Sequence, residues 1–293
     1  MKYEKPSLDI RQQVDLLKER GLIIEYEDNA LHYLQYIGYY RLSAYMIPYQ
    51  NDGHNFIDGT SFKDILDLYI FDRKLRIITF DAIERIEVAF RSTITNVMSE
   101  MGGSHWFEEK KLFENEKGYK ETLENIRNAT IDSNPRKRDV FINHYYNKYD
   151  APDTPPSWMV FETLSMGAVS RVYKYLKRPS RKKIAKLFQT GEPLLVSWMH
   201  SLSYTRNLAA HHARLWNRVF TIKPHSNKHF AEYNEQTFST HYFYAQAIVI
   251  EALLRQIAPK NSWEESLKDL FEEFPKIEKS KMGFPDNWNG FRL

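Results

Sequence analysis

The chain contains no cysteine. A disulfide framework, a thiolate-held zinc or iron–sulfur centre and a cysteine nucleophile are therefore excluded. Neither a GxxxxGKS/T loop nor a GxGxxG turn occurs, which removes the backbone devices that cradle nucleotide phosphates. No HExxH pair is present for a hydrolytic zinc. No uninterrupted apolar run approaches the roughly 18 residues of a membrane span. The opening residues, MKYEKPSLDIRQQ, lack the apolar stretch of a signal peptide. Together these absences predict a soluble, cytoplasmic protein with no membrane association and no cofactor or metal.

What is present suits a folded protein. Of 293 residues, 42% are hydrophobic and 27% charged, enough for one large domain or two modest ones. Nineteen Tyr and 18 Phe supply core, interface and possible base-stacking surfaces. The net charge of +3 conceals an asymmetry: Thr163 to Ala231 holds thirteen Lys/Arg and a single acid, Glu192, while the remainder is net acidic. Such a local excess points to a polyanionic partner, nucleic acid before membrane.

Helical periodicity dominates. Ser7 can cap a first helix whose apolar side carries Leu8, Val14, Leu16 and Leu17 and which Gly21 ends. A second helix is predicted from Asn29 to about Tyr40. Between Thr60 and Met101 neither Gly nor Pro intervenes. Ser61 with Asp64 has capping-box spacing there, and Leu68, Phe71, Leu75, Ile78, Ala82, Ile86, Ala89, Thr93 and Val97 form one stripe. This predicts one long helix or two collinear ones, broken at Gly102-Gly103, with Glu87 and Arg91 as a surface i,i+4 pair. A shorter helical region is expected around 107–130, then a polar, proline-containing loop or lid from Asp132 to Ser157. Periodicity resumes at Trp158 and is expected to stop at Pro179. Further helices are predicted at 181–189, 193–213 and 240–257, and from Ser262, whose spacing to Glu265 again matches a capping box. Trp158 and Glu162 read as a core tryptophan and a glutamate bonding to helix ends. VFTIK at 219–223 is the one plausible extended piece, and the tail is irregular. The fold class is all-α.

The densest basic cluster is Arg171, Lys174, Lys177, Arg178, Arg181, Lys182, Lys183 and Lys186, interleaved with Tyr173 and Tyr175. It reads as a phosphate-contacting surface, with a solvated charged face as the plain alternative. His225 and His229 have a metal-compatible HxxxH spacing, but Pro224 argues for loop and no third ligand is evident.

Inside the basic window, RNLAAHHARLWNR (206–218) sets Arg206, Asn207 and His211 within an arc of about 140° on a helix. His212 would turn a further ~100° away. Ala209, Ala210 and Ala213 would admit a close neighbour. Imidazole exchanges protons near neutral pH, and a guanidinium holds phosphate bidentately and stabilises a pentacoordinate transition state. Asn207 can orient either group. These parts suffice to cleave RNA by attack of its own 2′-hydroxyl without a metal. A solvated helix surface would show the same spacing. RDVFINH, with Arg138 and His144, is a similar pattern with one extra residue, outside the basic window.

RNLAAH resembles the signature of HEPN ribonucleases. The wider chain resembles the AbiD/AbiF-like family of bacterial abortive-infection proteins. The ordered blocks are KPSLDIRQQVDLLKERGLII, LHYLQYIGYYRLSAYMIPYQ, DRKLRIITFDAIERIEVAFRS, PPSWMVFETLSMGAVSRVY and RNLAAHHARLWNR. The resemblance implies an all-α HEPN bundle with extra N- and C-terminal helices, whose dimer brings two Arg/His motifs to one cleft. It also implies metal-free RNA cleavage leaving a 2′,3′-cyclic phosphate and a 5′-hydroxyl, as a phage-defence or toxin component. Some relatives pair with a small noncoding RNA antitoxin, and the HEPN sites of RNA-guided type VI CRISPR nucleases look similar.

The expectations are then definite. Residues 1–60 form an N-terminal helical region, 61–258 a HEPN-like core and 259–293 a C-terminal helix and tail. Arg206, Asn207 and His211 are the catalytic candidates. His212, Arg214, Arg218, Arg171, Lys174, Arg178, Arg181, Lys182 and Lys183 are the RNA-binding candidates. RNA is the partner, as substrate and as antitoxin, and the protein is a homodimer. A non-catalytic module that sequesters a structured RNA, or a protein-interaction scaffold, would be the other readings.

Overall fold

A computed structural model describes residue 2 and residues 6–130, 138–226 and 239–291. Among these the regular structure is helical, and pairing outside helices is confined to isolated bridges such as Gln50 with Phe56. The fold is all-α. The chain forms two compact units, 1–75 with 270–277 and 76–269 with 278–293. The division falls inside a helix, at Leu75–Arg76.

In the first unit, helix α1 (Ile10–Glu19) begins at Asp9. The Asp9 carboxylate accepts from the Gln12 N–H, and the Gln12 side chain accepts from the Asp9 N–H, both at 2.9 Å. This reciprocal box satisfies two orphan donors, so the cap lies two residues beyond the expected Ser7. Gly21 takes φ +88°, which lets the Leu22 N–H reach the Leu17 carbonyl and close the helix. Helices α2 (Glu27–Ile37) and α3 (Tyr39–Met46) are parted by Gly38 at φ +89°. Helix α4 (Phe62–Gly102) starts from the predicted Ser61/Asp64 box and is single and unbroken. Val14, Leu17, Leu42, Leu68 and Phe71 are closed to solvent, and the Phe71 ring lies 5.9 Å from those of Phe271 and Phe274.

The second unit takes α4 from Arg76 onward. Ile83, Ile86, Phe90, Ile94 and Met98 are buried at three- and four-residue steps. A Cβ on Gly102 would meet Trp106 and Leu112 at 2.8 Å, so glycine allows the turn to press against the helix end. After two 3-10 turns come α5 (Glu116–Thr130), α6 (Val140–Lys148), α7 (Ser157–Thr163), α8 (Met166–Tyr175), α9 (Arg178–Leu187), α10 (Glu192–Ala210), α11 (Phe243–Ile257) and α12 (Trp263–Glu273). Helix α11 is buried on nearly all sides, from Phe243 to Leu254, and α10 packs on α8, α9 and α11. An all-round apolar helix is an interior one. Its buried Gln246 accepts from Ser201 Oγ at 2.7 Å.

Several local expectations change. The 132–157 stretch is not all loop: its described part contains α6, anchored by buried Ile142 and Tyr145 at helical spacing. Residues 132–137, including most of PRKR, lie outside the described residues. The run from Trp158 is two helices rather than one, because Ser165 caps α8 by accepting the Ala168 N–H. Pro179 sits in the first turn of α9, where its missing N–H costs nothing, and so starts a helix instead of stopping one. Helix α10 ends at Ala210, three residues early. The VFTIK segment forms no strand, although the Phe220 N–H reaches the His241 carbonyl at 2.7 Å. The tail is irregular beyond a 3-10 turn, yet Phe284 and Phe291 are buried against Tyr244.

Helices α5 and α8 approach closely at Gly118, where a Cβ would lie 2.4–2.7 Å from Tyr175. That ring is held in place by the bond from its hydroxyl to Glu121, 2.7 Å. Helix propensity favours alanine over glycine by about 1 kcal/mol, but overpacking against a fixed ring opposes it. Gly118→Ala is expected to destabilise the protein by about 1–3 kcal/mol in denaturant unfolding; a neutral or stabilised variant would contradict the close approach.

Candidate active site

The C-terminus of α10 carries the Arg206–His211 motif. Arg206 and Asn207 lie in the last turns, and His211 is the C-cap residue, its N–H still bonded to the Asn207 carbonyl at 2.9 Å. His211 therefore keeps helical register with Asn207. His212 does not. It takes φ +57°, its N–H reaches the Ala209 carbonyl at 3.1 Å, and the Ala213 N–H reaches the Leu208 carbonyl at 2.9 Å. These two bonds are the Schellman closure, which places His212 at the left-handed position usually given to glycine. The expected 100° rotation from His211 to His212 thus does not apply, because the helix has already ended. Asn207, His211 and His212 are exposed. The His211 imidazole has no hydrogen-bond partner among the described residues.

Arg206 is held from one side. Its Nε faces Glu87 Oε2 at 3.6 Å, an electrostatic contact longer than a hydrogen bond, and its guanidinium lies 5.3 Å from the Phe80 ring centre. Glu87 Oε1 in turn accepts from Arg91 Nη2 at 2.8 Å. Arg91 also donates to the Leu164 carbonyl at 3.0 Å and approaches Glu162 at 3.4 Å. Helices α4, α7 and α10 are thereby joined through one chain of charges. The terminal nitrogens of Arg206 have no partner among the described residues and are available to an anion. The Glu87–Arg91 pair is largely buried, 12% and 11% exposed, and not the surface pair the spacing suggested. Trp158 is 53% exposed and so is no core residue, and Glu162 bonds to Arg91 rather than to a helix end.

The basic candidates separate in space. Arg181 is 14% exposed and committed: it bonds to Glu192, to Glu114 and to the Lys174 and Leu176 carbonyls. Its own carbonyl accepts from Tyr173, whose phenol is pushed up by burial and then by Glu192. Arg178 shares Glu192 at 2.9 Å, Arg171 pairs with Glu121 at 2.8 Å and Lys183 with Glu100 at 2.8 Å. Lys174 and Lys182 have no carboxylate partner among the described residues. Arg218 donates to the Arg214 carbonyl at 3.3 Å and reaches the Tyr204 hydroxyl at 3.5 Å, in a turn anchored by buried Leu215, Trp216 and Phe220. Arg138 of the RDVFINH pattern stacks on Tyr146, 4.7 Å from the ring centre. His229 lies outside the described residues, and no group of metal-ligating side chains occurs among those described.

Phe80 and Glu87 were not recognised as parts of the site. Glu87 stands four residues after Ile83 and three before Phe90, so a carboxylate on the flank of a buried stripe was the available signal. No helix among the described residues is long and apolar enough to cross a membrane.

A family model described as "Abi-like protein" matches residues 32–217. The matched region contains Glu87, Arg91, Glu162 and the whole Arg206–His211 motif. No curated protein and no solved structure matches the chain.

The left-handed backbone at residue 212 has a direct test. Both His212→Gly and His212→Ala remove the side chain, but only alanine retains a Cβ that clashes at positive φ. The glycine variant is expected to be the more stable by about 1 kcal/mol in thermal or denaturant unfolding; equal stabilities would argue against this helix closure.

Proposed function

The chain belongs to the Abi-like family of abortive-infection proteins, and on that premise we propose that it is a metal-independent endoribonuclease of the HEPN type, acting as a phage-defence or toxin component. The observation that carries this reading is the pairing of Arg206 with His211. An arginine anchored at Glu87 and Phe80 presents unpartnered terminal nitrogens on the same helix end as an exposed imidazole in register with Asn207.

The chemistry follows from those groups. The RNA 2′-hydroxyl attacks the adjacent phosphorus, and the bond from phosphorus to the 5′-oxygen breaks. The products are a 2′,3′-cyclic phosphate and a 5′-hydroxyl. Arg206 neutralises the extra negative charge on the pentacoordinate phosphorus through a forked contact that lysine cannot reproduce. His211 exchanges the proton, and Asn207 orients the phosphate or the imidazole. DNA lacks the attacking hydroxyl, which makes RNA the substrate.

One imidazole cannot both accept the 2′-hydroxyl proton and protonate the departing 5′-oxygen in the same event. A homodimer that brings two motifs together supplies one His211 as base and the other as acid. Ile77 and Val88, each at least half exposed and eleven residues apart on α4, mark an apolar face beside Phe80 for such a partner copy. The unpaired lysines favour a polyanion, including a small noncoding RNA that would neutralise the enzyme.

Purified wild type in EDTA is expected to cut single-stranded RNA to cyclic-phosphate ends, read by mapping of product termini. Arg206→Ala and His211→Ala should each lower the rate by about 10²–10⁴ while leaving the fold and RNA affinity largely intact, and Arg206→Lys should not restore it. Full activity in the alanine variants would overturn the assignment. Salt-dependent binding with no product ends would instead identify an RNA-sequestering module.

A further inference from the structure

Helices α8 and α10 and the segment 221–226 enclose an open groove of about 340 Å³. Its floor is Pro193, Val196, Ser197 and His200 of α10. Arg171 and Lys174 stand on the α8 wall, and Lys223 and His225 on the other. That second wall is fixed to the core. Trp198 Nε1 donates to the His225 carbonyl at 2.9 Å, the His225 N–H donates to Ser197 Oγ at 2.9 Å, and Ser201 Oγ reaches the Ile222 carbonyl at 3.3 Å.

The groove is cationic with little compensation. Glu121 neutralises Arg171 at its edge and also accepts from Tyr175. Lys174 has no carboxylate partner among the described residues. Lys223 Nζ donates to His241 Nε2 at 2.7 Å, a contact that leaves its charge in place. The His200 imidazole is held below its usual range by burial, then by Lys174 and Arg171, as expected in a field lacking counter-anions.

The position of His200 connects the groove to the motif. Along α10, Asn207 is seven residues and His211 eleven residues further on, so both fall within about 20° of the His200 face. At ~1.5 Å per residue His211 lies ~16 Å along the same face. The volume is that of a small-ligand pocket, room for a nucleotide or two of one strand and too small for a duplex.

We propose that this groove is a phosphodiester subsite that grips a single RNA strand roughly 16 Å from the scissile bond, with Lys174, His200 and Lys223 as its phosphate contacts. The proposal rests on the RNA-cleaving reading above and adds to it a requirement for substrate length. A strand must extend beyond the cut, along α10, to gain the groove's attraction.

The test uses a fluorescent 12-nucleotide 2′-O-methyl oligouridylate, which cannot be cut because its attacking hydroxyl is blocked. Binding is followed by anisotropy over a salt series. Lys174→Ala/Lys223→Ala should weaken binding about tenfold and reduce the slope of log affinity against log salt by about 1.4, two contacts at ~0.7 each. Lys110→Ala/Lys111→Ala removes the same charge outside the groove, from exposed lysines paired with Glu116 and Glu109, and should change neither quantity. With an all-ribose 12-mer the groove variant should raise KM, while its cleavage of a dinucleotide stays at the wild-type rate. Equal losses in the two double variants would overturn the proposal, as would UTP binding as tightly as the 12-mer. Groove-dependent binding by a wild type that yields no product ends would keep the subsite and remove the nuclease reading.

Discussion

Glu87 stands between Arg91 and Arg206, where water is scarce and each charge is felt at short range. A carboxylate in that position cannot be removed without leaving two guanidinium groups facing each other, a situation that typically costs several kcal/mol. The same contact decides which part of Arg206 is used internally. Its Nε side is turned to Glu87 of α4 and its guanidinium lies by the Phe80 ring, so the terminal nitrogens have no acid partner among the described residues. Arg91 extends the constraint to the Leu164 carbonyl, just where α7 gives way to α8. The orientation of one side chain on α10 thus depends on the relative placement of three helices.

The basic window shows how charge is divided between building and binding. Counted along the chain, Glu192 is its only acid; in space, Glu100, Glu114 and Glu121 arrive from α4 and the α5 region. Arg171, Arg178, Arg181 and Lys183 are matched to them or to Glu192. Arginine serves most of the matched positions, exposed at Arg171 and Arg178 and largely buried at Arg181, because its planar fork bonds several acceptors at once, as Arg181 does with Glu192 and two carbonyls. What remains toward solvent is a smaller set, dominated by lysine, which a mobile polyanion can displace water from at little cost. The field at the surface is weaker than the linear count suggests and more localised.

The fold class, the uninterrupted α4 and its Ser61/Asp64 start were legible in the sequence because they depend on local periodicity and capping. Breaks that depend on one side chain were not. Ser165 divides a continuous apolar pattern by accepting a single N–H, and Pro179 is compatible with either end of a helix until its neighbours are placed. Helix α6 was hidden because Ile142 and Tyr145 are few and lie amid polar, proline-containing sequence. At the candidate site, Arg206, Asn207 and His211 were visible as a motif, whereas Phe80 and Glu87, more than a hundred residues earlier, could be joined to it only by tertiary packing. The groove was half visible: Arg171 and Lys174 belonged to the basic cluster, but Lys223 and His225 come from a segment with no periodic signal.

The closure of α10 bears on the histidine doublet. Two adjacent histidines look like a reserve, either able to substitute for the other if the helix slipped by one residue. The Schellman bonds deny that freedom. A slip would put His212 at the cap and move the left-handed conformation onto Ala213, and alanine tolerates that region less well than histidine. The doublet is therefore a register lock. One histidine is the word and the other its full stop, and their order cannot be exchanged.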